Sequence, residues 1–147
     1  MPTGAMTSAG TTLAISASLP SAYTATGFGA VTFTDIGEVT TLPEYGKTFN
    51  LVTHSPLGDR KIYKFKGSYN NGSVGVQMGR DVDDAGQVIC AAAAASDNSY
   101  TFEVTLQDLT IQYFTGKVMS YTTNVGSVDQ ITGSTMTIEI DSDIVEV

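Results

Sequence analysis

The chain has 147 residues, of which 41% are hydrophobic and only 15% charged, with a formal net charge of −8, one Cys and one His. That length forms one domain, residues 1–147, able to bury a core without disulfides or metals. The acidic balance argues against a phosphate-gripping role, which needs Lys and Arg. The single cysteine excludes an internal disulfide. The first thirty residues hold no Lys or Arg and no continuous apolar block. No signal peptide is therefore expected. No apolar run approaches the ~20 residues of a membrane span, so a soluble protein made in the cytoplasm is expected.

In chain order, residues 1–10 are small and read as a flexible arm. Residues 11–18 alternate, with Leu13, Ile15 and Ala17 on one face, and predict a first strand. A small-residue linker containing Gly27 and Gly29 leads to an extended run over 31–39. Residues 40–59 form a long loop or protruding hairpin, with an extended arm over 47–52 and Pro56 and Gly58 closing it. Residues 61–69 predict a strand, with Tyr63, Phe65 and Tyr69 on one face and Lys64, Lys66 and Ser68 on the other. Asn71-Gly72 then suits a tight turn into Val74, Val76 and Met78, so 61–69 and 74–78 predict a hairpin.

The stretch DVDDAGQVICAAAAAS, residues 81–96, raises a choice between metal site and helix start. A helix–loop–helix calcium site wants oxygens at its first, third and fifth positions, Gly at the sixth and Glu at the twelfth. Counted from Asp81, the fifth is Ala85 and the twelfth Ala92, so two ligands are missing. A helix capped by Asp81 fits better, with Asp83 and Asp84 at the positive end of its dipole. Val82, Ala85, Ile89, Ala92 and Ala93 are its expected packing face. Strands follow over 100–106, 111–123 and 135–141, each alternating apolar with polar residues. The fold class is mainly β: an antiparallel sandwich or barrel of seven or eight strands with one short helix.

No catalytic constellation emerges. Cys90 sits in an alanine-rich helix and reads as a small core residue. His54 lies in the 40–59 loop, and neither a nucleophile elbow nor a phosphate-binding glycine motif is present. One His and one Cys leave zinc short of ligands. No enzyme, cofactor or metal is expected. One charge feature stands out: Arg60, Lys61, Lys64 and Lys66 are four of the seven basic residues, gathered within seven positions. They read as a solvated strand face or as a docking strip for an acidic patch on another copy, such as Asp81, Asp83 and Asp84.

Several segments in order resemble the tail tube proteins of long-tailed bacterial viruses. They are AGTTLAIS, TLPEYGKTFNLVTHSPLGD, RKIYKFKGSYN, RDVDDAGQVICAAAA, YTFEVTL and QYFTGKVMSY, spread over nearly the whole chain. The resemblance implies a virion protein, made in the host cytoplasm, whose copies form hexameric rings stacked head to tail. It implies a lumen that DNA traverses without specific binding, partners at the tail tip and terminator, and no membrane. Many members carry a C-terminal immunoglobulin-like domain, which is not expected after residue 147. On this reading Tyr45, Phe49 and His54 of the loop, the basic strip and the Asp-rich turn are inter-subunit or inter-ring contacts. Glu103 and Glu139 are candidates for an acidic lumen wall. The alternatives are the tube of a contractile secretion system and a carbohydrate-binding β-sandwich using exposed Tyr23, Tyr45, Tyr113 and Tyr121.

Overall fold

The computed structural model describes residues 4–147. The arm expected over 1–10 begins outside those residues; its remainder carries no strand and is exposed. The elements are β1 (Thr12–Ser16), α1 (Ala25–Gly29), β2 (Thr34–Asp35), β3 (Val39–Thr41), β4 (Thr48–His54), β5 (Tyr63–Asn70), β6 (Ser73–Gly79), α2 (Ala85–Ala94), β7 (Tyr100–Thr105), β8 (Ile111–Asn124), β9 (Gly133–Ile140) and β10 (Val145–Glu146). The fold is mainly β, built on a curled antiparallel half-barrel. Its strand order is β2-β1-β7-β8-β9-β6-β3, and β10 pairs with the start of β8. Strands β4 and β5 form a separate two-stranded sheet.

Alternation decides which face of the large sheet is dry. Leu13 and Ile15 of β1, Val74, Val76 and Met78 of β6, Phe102 and Val104 of β7, and Met136 and Ile138 of β9 are almost fully buried. They point into the concavity, where Cys90 and Ala93 of α2 close over them. Phe102 and Phe114 stack at its centre with ring centroids 5.4 Å apart. Each such side chain contributes about 1.5–3 kcal/mol by leaving water, so this layer dominates the stability of the body.

The opposite face is covered only in part. Over β1, β7 and the start of β8 it is sealed by the α1 segment, where Phe28 stacks on Tyr113 at 5.2 Å and Phe33 lies 5.9 Å from the same ring. Helix α1 was not expected from the sequence. It is only five residues long, capped by Thr24, whose Oγ1 accepts from Gly27 N at 3.2 Å. Over β6, β9 and the second half of β8 the face is bare.

Two expectations are corrected. Strand β5 does not pair with β6. It pairs with β4, while β6 lies between β9 and β3. The Asn71-Gly72 step does place Gly72 at φ +86, but it hands the chain from one sheet to the other. Helix α2 begins three residues later than expected: its N-cap is Asp84, not Asp81. Asp84 Oδ2 accepts from both Gln87 N and Gly37 N at 3.0 Å, which ties the helix start to the β2–β3 connection. The later start rotates the packing face, so Gly86, Gln87, Cys90 and Ala93 are buried while Val82 and Ala92 are exposed.

Candidate assembly surfaces

Every residue of β4 is exposed, and in β5 only Gly67 is even half-buried. The hairpin therefore stands off the body as an arm, with a turn at Pro56, Leu57 and Gly58. Its register pairs Val52 with Phe65, Thr53 with Lys64 and His54 with Tyr63. A β-bulge between the Phe49–Tyr69 and Leu51–Lys66 pairs inserts an extra residue in β5. The bulge turns Tyr69 to the face of Lys64 and Lys66, away from Tyr63 and Phe65 where strict alternation had placed it. There Tyr69 lies 5.4 Å from Phe49, with Lys47 Nζ 4.2 Å above its ring and Lys66 Nζ 4.5 Å above Phe49. Near the turn, Asp59 accepts from Tyr63 Oη at 2.6 Å and Lys61 N at 3.0 Å. The tyrosine bond, then the Lys61 amide, holds this carboxyl below its ordinary pKa.

The arm brings together Phe49, His54, Lys61, Lys64 and Lys66, with Arg60 beside its turn. Tyr45 is elsewhere. It is half-buried at the root, its ring 5.6 Å from Phe114 and its hydroxyl bonded to Gln112 Oε1. Burial, then nearby Glu146, raises its pKa. Lys47 Nζ lies 3.8 Å from Asp143 of the body, so the root is tethered by this pair as well.

The arm is rooted at one end of β6, and the Asp-rich turn lies at the other. Gln87, 2% exposed, knots that far end together. Its Nε2 donates to Gly37 O at 3.0 Å and Gly79 O at 2.8 Å, while its Oε1 accepts from Asp81 N at 3.0 Å and Tyr121 Oη at 3.3 Å. Arg80 donates to Thr123 Oγ1 and Ser134 Oγ, joining the β8–β9 strands to the same end. Asp81 and Asp83 are exposed there; Asp84 is half-buried by its capping role. Sequence reading missed Gln87 as a structural centre. The Asp84-x-x-Gln87 spacing of a capping box was the available signal, although here the side chain reaches on to Asp81 N. It also missed the β8–β9 loop, whose Val125, Val128 and Ile131 are exposed.

Glu103 and Glu139 lie on the same, non-core face of the large sheet but in different surroundings. Glu139 is exposed on the bare part, directly across from Lys117 in the β8–β9 register. Apart from Met119, 62% exposed at the β8–β9 register shift, its neighbours are small or polar: Ser73, Gly75, Gln77, Thr135, Thr137, Ser120 and Thr122. The bare face is thus mostly polar, with Met119 its one large exposed apolar side chain among the described residues, and close to neutral rather than an acidic wall. Glu103 is half-buried beside the α1 covering, flanked across Ala14 by Asp35 and paired with Tyr113. Burial, then the Asp35 charge, raises its pKa.

Among the described residues no cluster of three or more His, Cys, Asp or Glu is arranged to hold a metal. No helix there is long and apolar enough to cross a membrane. The Cys90 thiol is pushed up to about 12, first by burial and then by Asp84, which leaves it a poor nucleophile at neutral pH.

No protein-family model and no curated protein matches this chain. Among solved structures, it is similar to a chain of the anti-feeding prophage (AFP) baseplate, seen in a 6-fold symmetrised cryo-EM structure. The identity is 11%, the TM-score 0.68, and the match covers 100% of this chain and 97% of that one. It is also similar to a chain from the tail of an empty GTA particle, refined helically with C6 symmetry. There the identity is 13%, the TM-score 0.64, and coverage is 90% of this chain and 92% of that one. At such identities the shared property is the fold, which these assembled particles use nearly end to end.

Proposed function

We propose that the chain is a structural, non-enzymatic subunit of a phage-type tail tube, assembling as hexameric rings that stack around a conduit for DNA. The observation that carries the proposal is the end-to-end fold likeness to chains of two six-fold particles, one a tail and one a baseplate. The surfaces support it. An isolated chain gains little from a hairpin with Leu51, Val52, Leu57, Ile62 and Phe65 in water. A neighbouring copy that covers the arm removes that penalty. The short edge strands β2 and β3 leave both ends of the large sheet open, and pairing edges between copies in a ring closes them. Head-to-tail contacts of this kind form rings and then stacks.

In this arrangement the bare face of β6, β8 and β9 lines the channel. Its hydroxyls and its facing Lys117 and Glu139 offer DNA no basic track, so few counterions are released on contact and the duplex slides. The arm clasps the next ring. A second reading, a ring of a baseplate, is favoured by the AFP baseplate likeness. Negative-stain micrographs of concentrated protein separate the two. Hollow tubes of variable length fit the tube reading, single rings of fixed height fit the baseplate reading, and persistent monomers in seeded and unseeded samples contradict both.

A further inference from the structure

Five of the seven Lys and Arg residues, but only one of the fifteen Asp and Glu residues, lie within residues 47–70. The arm therefore carries +4 and the rest of the chain −12. We infer that the arm of one copy docks on the far end of the body of a second copy, in the angle between the Asp-rich turn and the β8–β9 loop. The inference rests on the tube-subunit reading and adds the acceptor.

Topology separates the two surfaces on each chain. Strand β6 enters from the arm at Ser73 and leaves at Gly79 into the Asp-rich turn, a rise of about 20 Å at ~3.3 Å per residue. At the far end, Gly79 N donates to Glu38 O at 2.8 Å and Arg80 N to Thr132 O at 2.9 Å. The β2–β3 connection, the turn and the β8–β9 loop are thereby gathered in one place. Glu38, Asp81, Asp83, Asp84 and Asp129 stand there against a single guanidinium, that of Arg80. Among the described residues the ion pairs are Lys47–Asp143 and Lys117–Asp141, and neither uses an acid of this end. Both acids in those pairs, Asp141 and Asp143, lie toward the arm's own root.

Apolar exposure matches as well. Val82 is 67%, Val125 63%, Val128 99% and Ile131 85% exposed beside these acids. The arm presents the same mixture with opposite charge: Leu51, 66% exposed, shares the face of Lys64 and Lys66, and Ile62, 56% exposed, follows Lys61 near the turn. A surface that is basic and apolar at one end, and acidic and apolar at the other, pairs with itself head to tail and in one direction only. The occupant that fits is a second copy of this chain.

The test uses two triple variants of the full chain. Lys61→Glu, Lys64→Glu, Lys66→Glu takes the arm from +4 to −2; Asp81→Lys, Asp83→Lys, Asp129→Lys takes the acceptor from −4 to +2. Light scattering at low salt should show each variant alone associating at least about tenfold more slowly than the parent, the range over which charge steering acts. An equimolar mixture should recover the parent rate, because each reversed surface then meets its complement. Recovery also shows that both variants are folded. An acceptor variant that assembles into tubes like the parent overturns the acceptor and leaves the tube reading standing. Recovery on mixing, but with neither rings nor tubes in micrographs, supports the acceptor and overturns the tube reading. A parent that stays monomeric at every salt concentration overturns both.

Discussion

Replacing Gln87 with Met keeps the length and helix propensity of the side chain and removes all four of its hydrogen bonds. Two of the lost partners are half-buried carbonyls, Gly37 O and Gly79 O, which share the Nε2 donors at 3.0 and 2.8 Å. Asp81 N also loses its acceptor, but Asp81 is exposed and water can replace that bond. Leaving a buried polar group unpaired costs about 1–3 kcal/mol, so two carbonyls imply about 2–6 kcal/mol. For a domain of this size each kcal/mol moves Tm by roughly 2–4 °C, which predicts a fall of about 4–24 °C. Thermal melting followed by circular dichroism reads the shift, and urea titration checks that the slope of the transition is preserved. A loss below about 1 kcal/mol would refute the reasoning, because the two carbonyls would then exchange the Gln87 bonds for water at no net penalty.

Further predictions follow from close contacts and protonation. Gly86→Ala places a Cβ 2.2 Å from Asp35 O and 2.6 Å from Ile36 Cα. These are backbone atoms that cannot step aside, so α2 must shift off the sheet at about 1–3 kcal/mol or more, measured by the same melts. Glu103 has its pKa raised by burial and by Asp35. Its favourable contribution is therefore full below the ordinary carboxylate pKa and is lost as pH rises through the raised value. Glu103→Gln should accordingly raise stability near pH 7 and flatten the decline over that window; a variant that is less stable at pH 7 contradicts this. Cys90, fully buried with its thiol raised to about 12, should resist iodoacetamide in the folded protein and react at once in denaturant. Labelling of the native chain at the denatured rate would show that α2 does not seal the core.

The strands that line the core were legible because period-two alternation is imposed by one wet and one dry face. Phe102 and Val104, and Met136, Ile138 and Ile140, are the buried positions that alternation selected. The arm's existence was legible from Pro56 and Gly58, and its second strand from alternation, but the partner of that strand was not. Tyr63 and Phe65 alternate as core residues do, and only a missing partner sheet shows that they face water. Capping by Asp84 was hidden for a different reason: one of its two partners is Gly37, far away in sequence, and local spacing favours Asp81 equally well. Helix α1 left no periodic trace because five residues make barely one turn. The separation of a basic arm from an acidic far end needed the topology, since the sequence places Lys66 and Asp81 only fifteen positions apart.

Cryo-electron microscopy of the assembled protein tests the central claim most directly. The account predicts six-fold rings stacked with one polarity, the bare face of β6, β8 and β9 toward the channel, and each arm seated on the next ring. A map in which that face points outward, or in which the arms contact nothing beyond their own subunit, would contradict it.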